Sequence, residues 1–230
     1  SEVIAPVLQK KGIPASFFVN PAFIDNTDMS YRLKNAVLCH IIASGNYKTS
    51  SLPEAFSGMP RKRLFRKILE LGYSEETTRQ QIARALQFDF KTYQQSHSPY
   101  MNDSDIRQLI KSGFHVGAHS LHHPDFSLLT PEAQIDEAIK SIHYVHRHYP
   151  QKFRSFAFPF SDAGVNKEQI GTILEQCDIS FGTSGLKTQN MHPLHYQRIP
   201  MESTKSYSAR KILPAEFFYF YIKKCLNLDT

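Results

Sequence analysis

Apolar residues in this sequence follow two patterns, short continuous runs and a spacing of three or four residues, and the two patterns alternate along the chain. Short runs rich in aromatic and branched residues are typical of buried strands, and they occur at 13–19, around 116, and at 153–160, 179–183 and 197–201. Apolar residues three or four positions apart predict helices, at 2–11, 103–112, 131–148, 166–177 and 214–226. Alternating strands and helices favour parallel pairing. The pattern therefore predicts a barrel-like α/β fold.

One long segment, residues 25–98, breaks this alternation. It is more polar, and its apolar positions predict helices at 31–43, 60–70 and 75–93, separated by breaks that contain proline. The connection between a strand and the next helix is usually much shorter than this. We therefore predict one domain over residues 1–230 with a helical insertion at about 25–98.

The strand around residue 116 is followed by a pair of histidines, His119 and His123. Imidazole is a good ligand for zinc, cobalt, nickel and iron, and two imidazoles still need a carboxylate and a water to complete a catalytic metal shell. The preceding Gly117 and Ala118 are small, and Pro124 keeps the pair out of a regular helix. The pair is therefore predicted to lie on a turn at a strand end and to serve metal-assisted hydrolysis. A purely structural pair is the alternative in a chain with 11 histidines.

The net charge of the chain and the distribution of its basic residues limit the partners that it is expected to bind. The net charge of +6 is modest, and its densest cluster, Arg61 to Lys67, is short. A nucleic-acid-binding protein would carry a longer basic stripe or a recognisable module, so we expect no nucleic acid partner. A solvated helix face is the favoured interpretation of the cluster, and contact with an anionic polymer or a membrane surface is the alternative.

Two further features bear on the compartment. No apolar run approaches the roughly 18 residues that a transmembrane helix needs, so no transmembrane segment is expected. The three cysteines, Cys39, Cys177 and Cys225, are widely spaced and odd in number. They are interpreted as small core residues and not as a disulfide framework. The compartment, cytoplasmic or envelope-associated, and the oligomeric state stay open.

The residues around the histidine pair are similar to a known family. The motif His119-Ser120-x-x-His123-Pro124, preceded by Gly-Phe-His-Val-Gly-Ala at 113–118, resembles the second motif of the polysaccharide deacetylases, carbohydrate esterase family 4. Further segments resemble other elements of that family in the right order: 3–8, 11–19, 156–161, 181–184 and 198–201. The likeness covers residues 1–24 and about 100–202. It implies the family's irregular (β/α) barrel of fewer than eight strand–helix units.

The resemblance implies roles for individual residues. His119 and His123 would bind a divalent metal, zinc in the first place, with cobalt, nickel or iron as alternatives. Ser120 would hold the loop, because ligating imidazoles need an ordered surrounding shell. The family's later histidine, which protonates the leaving amine, corresponds best to His195, with His192 as the second choice.

The family's third motif is present in a diverged form at 156–161. The position of its arginine, which braces the catalytic base, is Ala157, and the position of its glycine is Ser161. The backbone N–H of Phe160 could still donate to the oxyanion of a tetrahedral intermediate. Phe158, Pro159 and Phe160 would form an apolar wall against a sugar ring or an acetyl methyl group. Plain strand core is the alternative for the two phenylalanines.

The family's first motif, Thr-Phe-Asp-Asp-Gly, occurs nowhere in the sequence. That motif supplies the general base and a metal-binding carboxylate, so the fold is expected to be incomplete at its N-terminal end. We expect the motif to precede Ser1 in the natural protein, and its natural loss in an inactive relative is the alternative. Glu2 is not expected to replace it, and Asp162, in a Ser-Asp-Ala-Gly turn, is favoured as a turn former.

Together these features predict a metal-dependent hydrolase that removes acetyl groups from N-acetylated, or else O-acetylated, sugars of an envelope polysaccharide. Its partner would be an acetylated oligosaccharide or polysaccharide. The 230 residues by themselves are expected to be inactive, because they lack the aspartate motif. Two alternatives stay open: a non-catalytic carbohydrate-binding relative, and an interaction module built on the helical insertion and its basic cluster.

Overall fold

The computed structural model describes residues 3–45, 51–187, 190–201 and 209–226. The chain divides into two compact units. The first, termed the sheet unit, comprises residues 1–21 and 106–230; the second, termed the helical unit, comprises residues 22–105. The helical unit begins and ends within a few residues of the predicted insertion. Glu2, considered above as a carboxylate, lies outside the described residues.

The described residues form five strands and nine α-helices. The strands are β1 Ser16–Val19, β2 His115–Ala118, β3 Ser155–Ala157, β4 Ile179–Gly182 and β5 His195–Gln197. The helices are α1 Ile4–Lys10, α2 Tyr31–Ser44, α3 Arg61–Leu69, α4 Glu76–Ala85, α5 Phe90–His97, α6 Asp103–Lys111, α7 Pro131–His148, α8 Lys167–Leu174 and α9 Ala209–Leu226. Short 3₁₀ segments lie at Pro21–Asn26, Glu54–Phe56 and Phe126–Leu128.

The sheet unit is built on one parallel sheet. Its strands are hydrogen-bonded in the order β1-β2-β3-β4-β5, and the pairing places Phe17 opposite Val116 and Phe156 opposite Ser180. Within the described residues β1 and β5 do not pair with each other, so the sheet is open. The predicted α/β fold is therefore confirmed, in the form of a partial barrel.

The core of the sheet unit lies on the strands and the helices that cover them. Phe156 and Phe158 are fully buried and contact each other at a ring-centroid distance of 4.8 Å. Phe126 packs against Phe158 at 5.2 Å, and Ile170 and Ile173 of α8 are also fully buried. Full burial of one such side chain contributes about 1.5–3 kcal/mol. These contacts fix the ends of β2 and β3, where the histidine loop begins.

Two helices that cover the sheet begin at well-formed caps. The hydroxyl of Thr130 accepts from the N–H of Ala133 at the start of α7, and a capping box joins Asn166 and Gln169 at the start of α8. Such caps satisfy N–H groups that have no partner inside the helix. They fix where α7 begins, and α7 carries a residue that contacts the histidine loop.

The helical unit has its own core, in which Leu38, Leu64, Ile68 and Ile82 are fully buried. The guanidinium of Arg79 is buried beside this core, where it donates to the carbonyls of Gly72 (2.7 Å) and Tyr73 (2.8 Å) and to the carboxylate of Glu76 (2.9 Å). A buried charge is tolerated only when it is hydrogen-bonded and paired in this way. The basic cluster lies on α3, mostly on its exposed face.

The prediction of one helix over 75–93 is wrong, because the chain turns between α4 and α5. Gln87 adopts a left-handed backbone conformation with φ 53°. The carboxylate of Asp89 then accepts from the N–H groups of Lys91 and Thr92 and begins a new helix. A side chain that caps a helix competes with helix continuation.

Smaller differences occur at the C-terminal end. The last strand is β5, which ends at Gln197, where the pattern predicted 197–201. Helix α9 begins at Ala209 and contains Pro214, which was predicted to open it. Cys39 and Cys177 are buried as expected, but Cys225 is exposed on α9.

Candidate metal and catalytic site

His119 follows β2 directly and is tied to both neighbouring strands. Its N–H donates to the carbonyl of Val19 at 3.0 Å. Its ring Nδ1 lies 2.6 Å from the carbonyl oxygen of Ala157, an atom that can only accept. Nδ1 therefore carries the proton, and Nε2 carries the lone pair that a metal needs.

His119 is a neutral base in this structure. Burial, the neighbouring His123 ring and Arg198 together lower the pKa of His119 from 6.5 to about 3. The imidazole is therefore uncharged at pH 7, which is the form that binds metal.

His123 lies beside His119 in the same loop. The two ring centroids are 4.9 Å apart and the rings are nearly perpendicular, with an interplanar angle of 73°. Both His123 and Ser120 have positive φ angles, of 58° and 65°. The loop thus turns back on itself and brings the two imidazoles of the motif together, as the sequence predicted for a turn at a strand end.

Ser120 and Asn20 hold the first half of this loop. The Ser120 side chain is buried, and its hydroxyl accepts from the N–H of His123 at 3.0 Å. Asn20, which follows β1, donates from its side-chain amide to the carbonyls of His119 and Ser120. The loop-fixing role predicted for Ser120 agrees with these contacts. Asn20 was not predicted.

Glu137 of α7 holds the second half of the loop. Its Oε2 accepts from the N–H groups of Leu121 and His122, each at 3.0 Å. Its Oε1 lies 2.7 Å from Nδ1 of His122. One nearly buried carboxylate (9 % exposed) thus binds two consecutive backbone N–H groups and a ring nitrogen. This contact was also missed by sequence reasoning.

The third-motif segment, residues 156–161, lies partly in the hydrophobic core and partly beside the histidine pair. Phe158 is fully buried and Pro159 is buried, whereas Phe160 is half-buried and packs edge-on against His123 with a centroid distance of 4.5 Å. Phe160 has a positive φ of 53°, and its carbonyl accepts from the hydroxyl of Thr183. Of the three predicted wall residues, only Phe160 is thus both partly accessible and beside the histidines. The oxyanion role of its N–H stays a prediction.

The structure places Phe158 in the hydrophobic core, which corrects the expectation that it contacts substrate. Phe156 and Phe158 are two residues apart in one extended segment, so their side chains point to the same face of the sheet. Both faces of this strand are buried, since Ser155 and Ala157 are buried as well.

His195 is also placed away from any surface. It is fully buried on β5; its Nδ1 lies 2.8 Å from the Ser180 hydroxyl and its Nε2 lies 3.1 Å from a carboxylate oxygen of Asp162. With both nitrogens engaged, this position argues against direct proton transfer to a leaving amine. His192, the second choice, is half-buried, and its Nδ1 accepts from the N–H of Leu194.

Asp162 is a buried anion that joins three strand ends, which corrects its interpretation as a simple turn former. Besides His195, its carboxylate accepts from the side chains of Gln197 (2.7 Å) and Ser184 (3.1 Å) and from the N–H of Thr183. Burial raises the pKa of Asp162, but these hydrogen bonds outweigh burial and hold the pKa below its usual range.

The donor set fits a divalent metal in part. His119 and His123 offer two neighbouring imidazoles, one with its tautomer fixed by a backbone carbonyl, which is a common arrangement around zinc. In the described part of the chain, however, no group of three or more His, Cys, Asp or Glu side chains could hold a metal ion. The site therefore offers two candidate ligands, His119 and His123, and the described residues place no third His, Cys, Asp or Glu ligand beside them.

One comparison with known proteins identifies the family of this chain. The sequence profile of the family named polysaccharide deacetylase matches residues 1–181. The chain belongs to the polysaccharide deacetylase family, whose members are hydrolases that remove acetyl groups from sugars.

The comparisons with individual proteins give weaker matches than the family profile does. Among solved structures, the chain is similar to the Streptococcus pyogenes deacetylase PplD in complex with acetate, at 13 % identity and a TM-score of 0.40, over 90 % of this chain and 94 % of that one. No curated protein sequence matches the chain.

Proposed function

We propose that this chain provides the metal-binding half of a deacetylase site, in which His119 and His123 hold a divalent metal, zinc in the first place. The observation that carries the proposal is the hydrogen bond from Nδ1 of His119 to the carbonyl of Ala157, 2.6 Å long, with the His123 ring beside it. Cobalt, nickel and iron are also compatible with imidazole ligands.

A bound metal would polarise the acetyl carbonyl and lower the pKa of water, as in other hydrolytic metal sites. The chain's own residues do the positioning. Glu137, Ser120 and Asn20 fix the loop from both sides, and Ala157 fixes the tautomer of His119. Phe160 presents a partly exposed ring next to His123, suited to the apolar face of a sugar or to an acetyl methyl group.

The proposed substrate is an acetylated sugar of an envelope polysaccharide, N-acetylated in the first place. The support for it is family membership together with the aromatic surface of Phe160. The 230 residues contain no Asp-Asp motif, and no carboxylate among the described residues joins the two histidines in a group that could hold a metal ion. We therefore expect these residues alone to bind zinc weakly and to hydrolyse acetylated sugars at or near background.

Calorimetric titration with zinc tests the metal site. His119→Ala and His123→Ala should each lower zinc affinity at least about tenfold, since one of two ligands is removed. His40→Ala, an exposed histidine on α2, is the matched control and should leave affinity unchanged. Equal zinc binding by all four proteins would overturn the metal assignment.

A second assay tests the expected inactivity. Release of acetate from N-acetylglucosamine oligomers is measured with and without chelator. Background rates in both conditions support the proposal. Turnover that disappears with chelator would show that these residues find a base elsewhere.

A non-catalytic carbohydrate-binding protein is the second candidate. It is favoured by Ala157 and Ser161, which stand where the family resemblance expects an arginine and a glycine. Such a protein would bind N-acetylglucosamine oligomers without metal, so titration with the oligomer should give the same affinity before and after chelation. Loss of oligomer binding on chelation would favour the metal-dependent hydrolase.

A further inference from the structure

Helix α9 is the most exposed regular element of the sheet unit. It has 18 residues, and none of them is buried. Its large apolar side chains are open to solvent: Phe218 is 72 % exposed, Tyr221 59 %, Ile222 53 % and Phe217 51 %. Contiguous exposed apolar surface of this kind marks a binding surface.

The helix is oriented with its most aromatic face outward. Its partly buried residues, Ile212, Glu216, Phe220 and Lys223, are three or four positions apart and form one stripe. Within that stripe, Oε1 of Glu216 accepts from the N–H of Leu186 at 2.8 Å, which ties α9 to the loop after β4. The opposite face carries Phe217, Phe218, Tyr221 and Ile222. The polar contact therefore faces the protein and the apolar surface faces solvent.

The charges on α9 are almost all positive. Arg210 and Lys211 lie at its start and Lys223 and Lys224 in its last turn, whereas Glu216 is its one acidic residue. Two copies of this helix placed face to face would bring like charges together, which is unfavourable. An anionic surface with an apolar interior would complement both the cations and the aromatic rings.

We propose that α9 docks, lying flat, on the surface of an anionic lipid bilayer. Its exposed phenylalanine, tyrosine and isoleucine side chains would enter the boundary between head groups and acyl chains, and the exposed cations Arg210, Lys211 and Lys224 would contact lipid phosphates. No helix among the described residues has the length and apolarity needed to cross a membrane. At 1.5 Å per residue, 18 residues give a contact about 27 Å long.

A tryptophan reporter tests this directly, because the chain contains no tryptophan. Phe218→Trp in the 230-residue chain should show a blue-shifted emission with vesicles of phosphatidylglycerol and phosphatidylcholine, and the shift should weaken at high salt. Leu128→Trp, at a 76 % exposed site on the 3₁₀ segment Phe126–Leu128, is the matched control and should not shift. An unshifted Phe218→Trp emission would overturn the proposal.

Vesicle flotation of the unlabelled chain is the second arm. The double variant Phe218→Asp with Tyr221→Asp should lose at least about tenfold in partitioning to anionic vesicles, while Leu128→Asp should not. Both α9 side chains are exposed, so circular dichroism should stay unchanged. Equal flotation of variant and parent would contradict the proposal, as would concentration-dependent dimerisation in sedimentation that the double variant abolishes, because a second copy would then cover this face.

Discussion

The contacts of Glu137 with the histidine loop predict a large effect from a single carboxylate. Its Oε2 accepts from the N–H groups of Leu121 and His122, each at 3.0 Å, and its Oε1 lies 2.7 Å from Nδ1 of His122. A hydrogen bond to a charged group contributes about 1.5–3 kcal/mol. Since such contributions are not additive, we expect Glu137→Ala to lower the free energy of unfolding by about 3–5 kcal/mol. Glu137→Gln keeps one accepting oxygen and should lose about 1–2 kcal/mol.

The same substitutions should weaken metal binding, because His123 follows the clamped residues directly. Partners that orient metal ligands typically change affinity by about 10- to 100-fold. We therefore expect Glu137→Ala to lower zinc affinity in that range, with Glu137→Gln intermediate. The affinity is measured by competition with a chromogenic chelator, at a temperature where each variant is folded.

The neighbouring Asp136 provides the control. It lies on the same helix but is exposed, and it pairs with Lys140 at the surface. Asp136→Asn should cost no more than about 0.5 kcal/mol and should leave zinc affinity unchanged. The reasoning is refuted if Glu137→Ala unfolds at the same urea concentration as Asp136→Asn and retains its zinc affinity.

Three further predictions concern the neighbouring network and the core. Asp162→Asn should lower the free energy of unfolding by about 3 kcal/mol at pH 7. A carboxylate whose pKa is lowered in the folded state stabilises the protein fully only above its pKa in the unfolded chain. In urea titrations this loss should therefore persist down to pH 5 and shrink below about pH 4. Gly182→Ala should cost about 1–3 kcal/mol in the same assay, since its methyl group would overlap the side chains of Asp162 and Gln197. Phe158→Ala should cost about 3–5 kcal/mol, whereas Phe160→Ala should cost much less; equal losses would contradict their placement in core and site.

Local patterns were sufficient to predict most strands and helices of the sheet unit, although not the bounds of β5 or the start of α9. Runs of apolar residues around Val116 and Phe156 lie in single strands, so neighbouring positions carry the whole signal. The helix α1 was predicted from the same kind of pattern. Yet Ile4 is 62 % exposed and only Ala5 is buried on it. Spacing thus predicts that a helix forms, but it does not predict what the helix packs against.

The candidate site was predictable where its residues belong to family motifs, as the histidine loop and Phe160 do. His119, Ser120 and His123 belong to one motif, and the structure keeps them in one loop. Asn20 reaches that loop from 99 residues away, and Glu137 reaches it from the next helix. Asparagine and glutamate are common polar residues, and nothing local distinguishes these two. The burial of Phe158 was easier to predict from the sequence, because its spacing of two residues from Phe156 places both rings on one face of a strand.

Ala157 bears on whether the proposed metal binding needs the arginine of the family's third motif. The family resemblance expects an arginine there, and an alanine side chain cannot brace a carboxylate base. The contact with His119, however, uses the backbone carbonyl of Ala157, which every residue has. The register of β2 against β3, with Ala118 opposite Phe156, brings that carbonyl to the ring. Orientation of His119, the proposed metal ligand, therefore depends on the sheet and not on the arginine. The described residues place no carboxylate beside the two histidines to complete a metal site, so the proposed hydrolysis would also require a base from outside them.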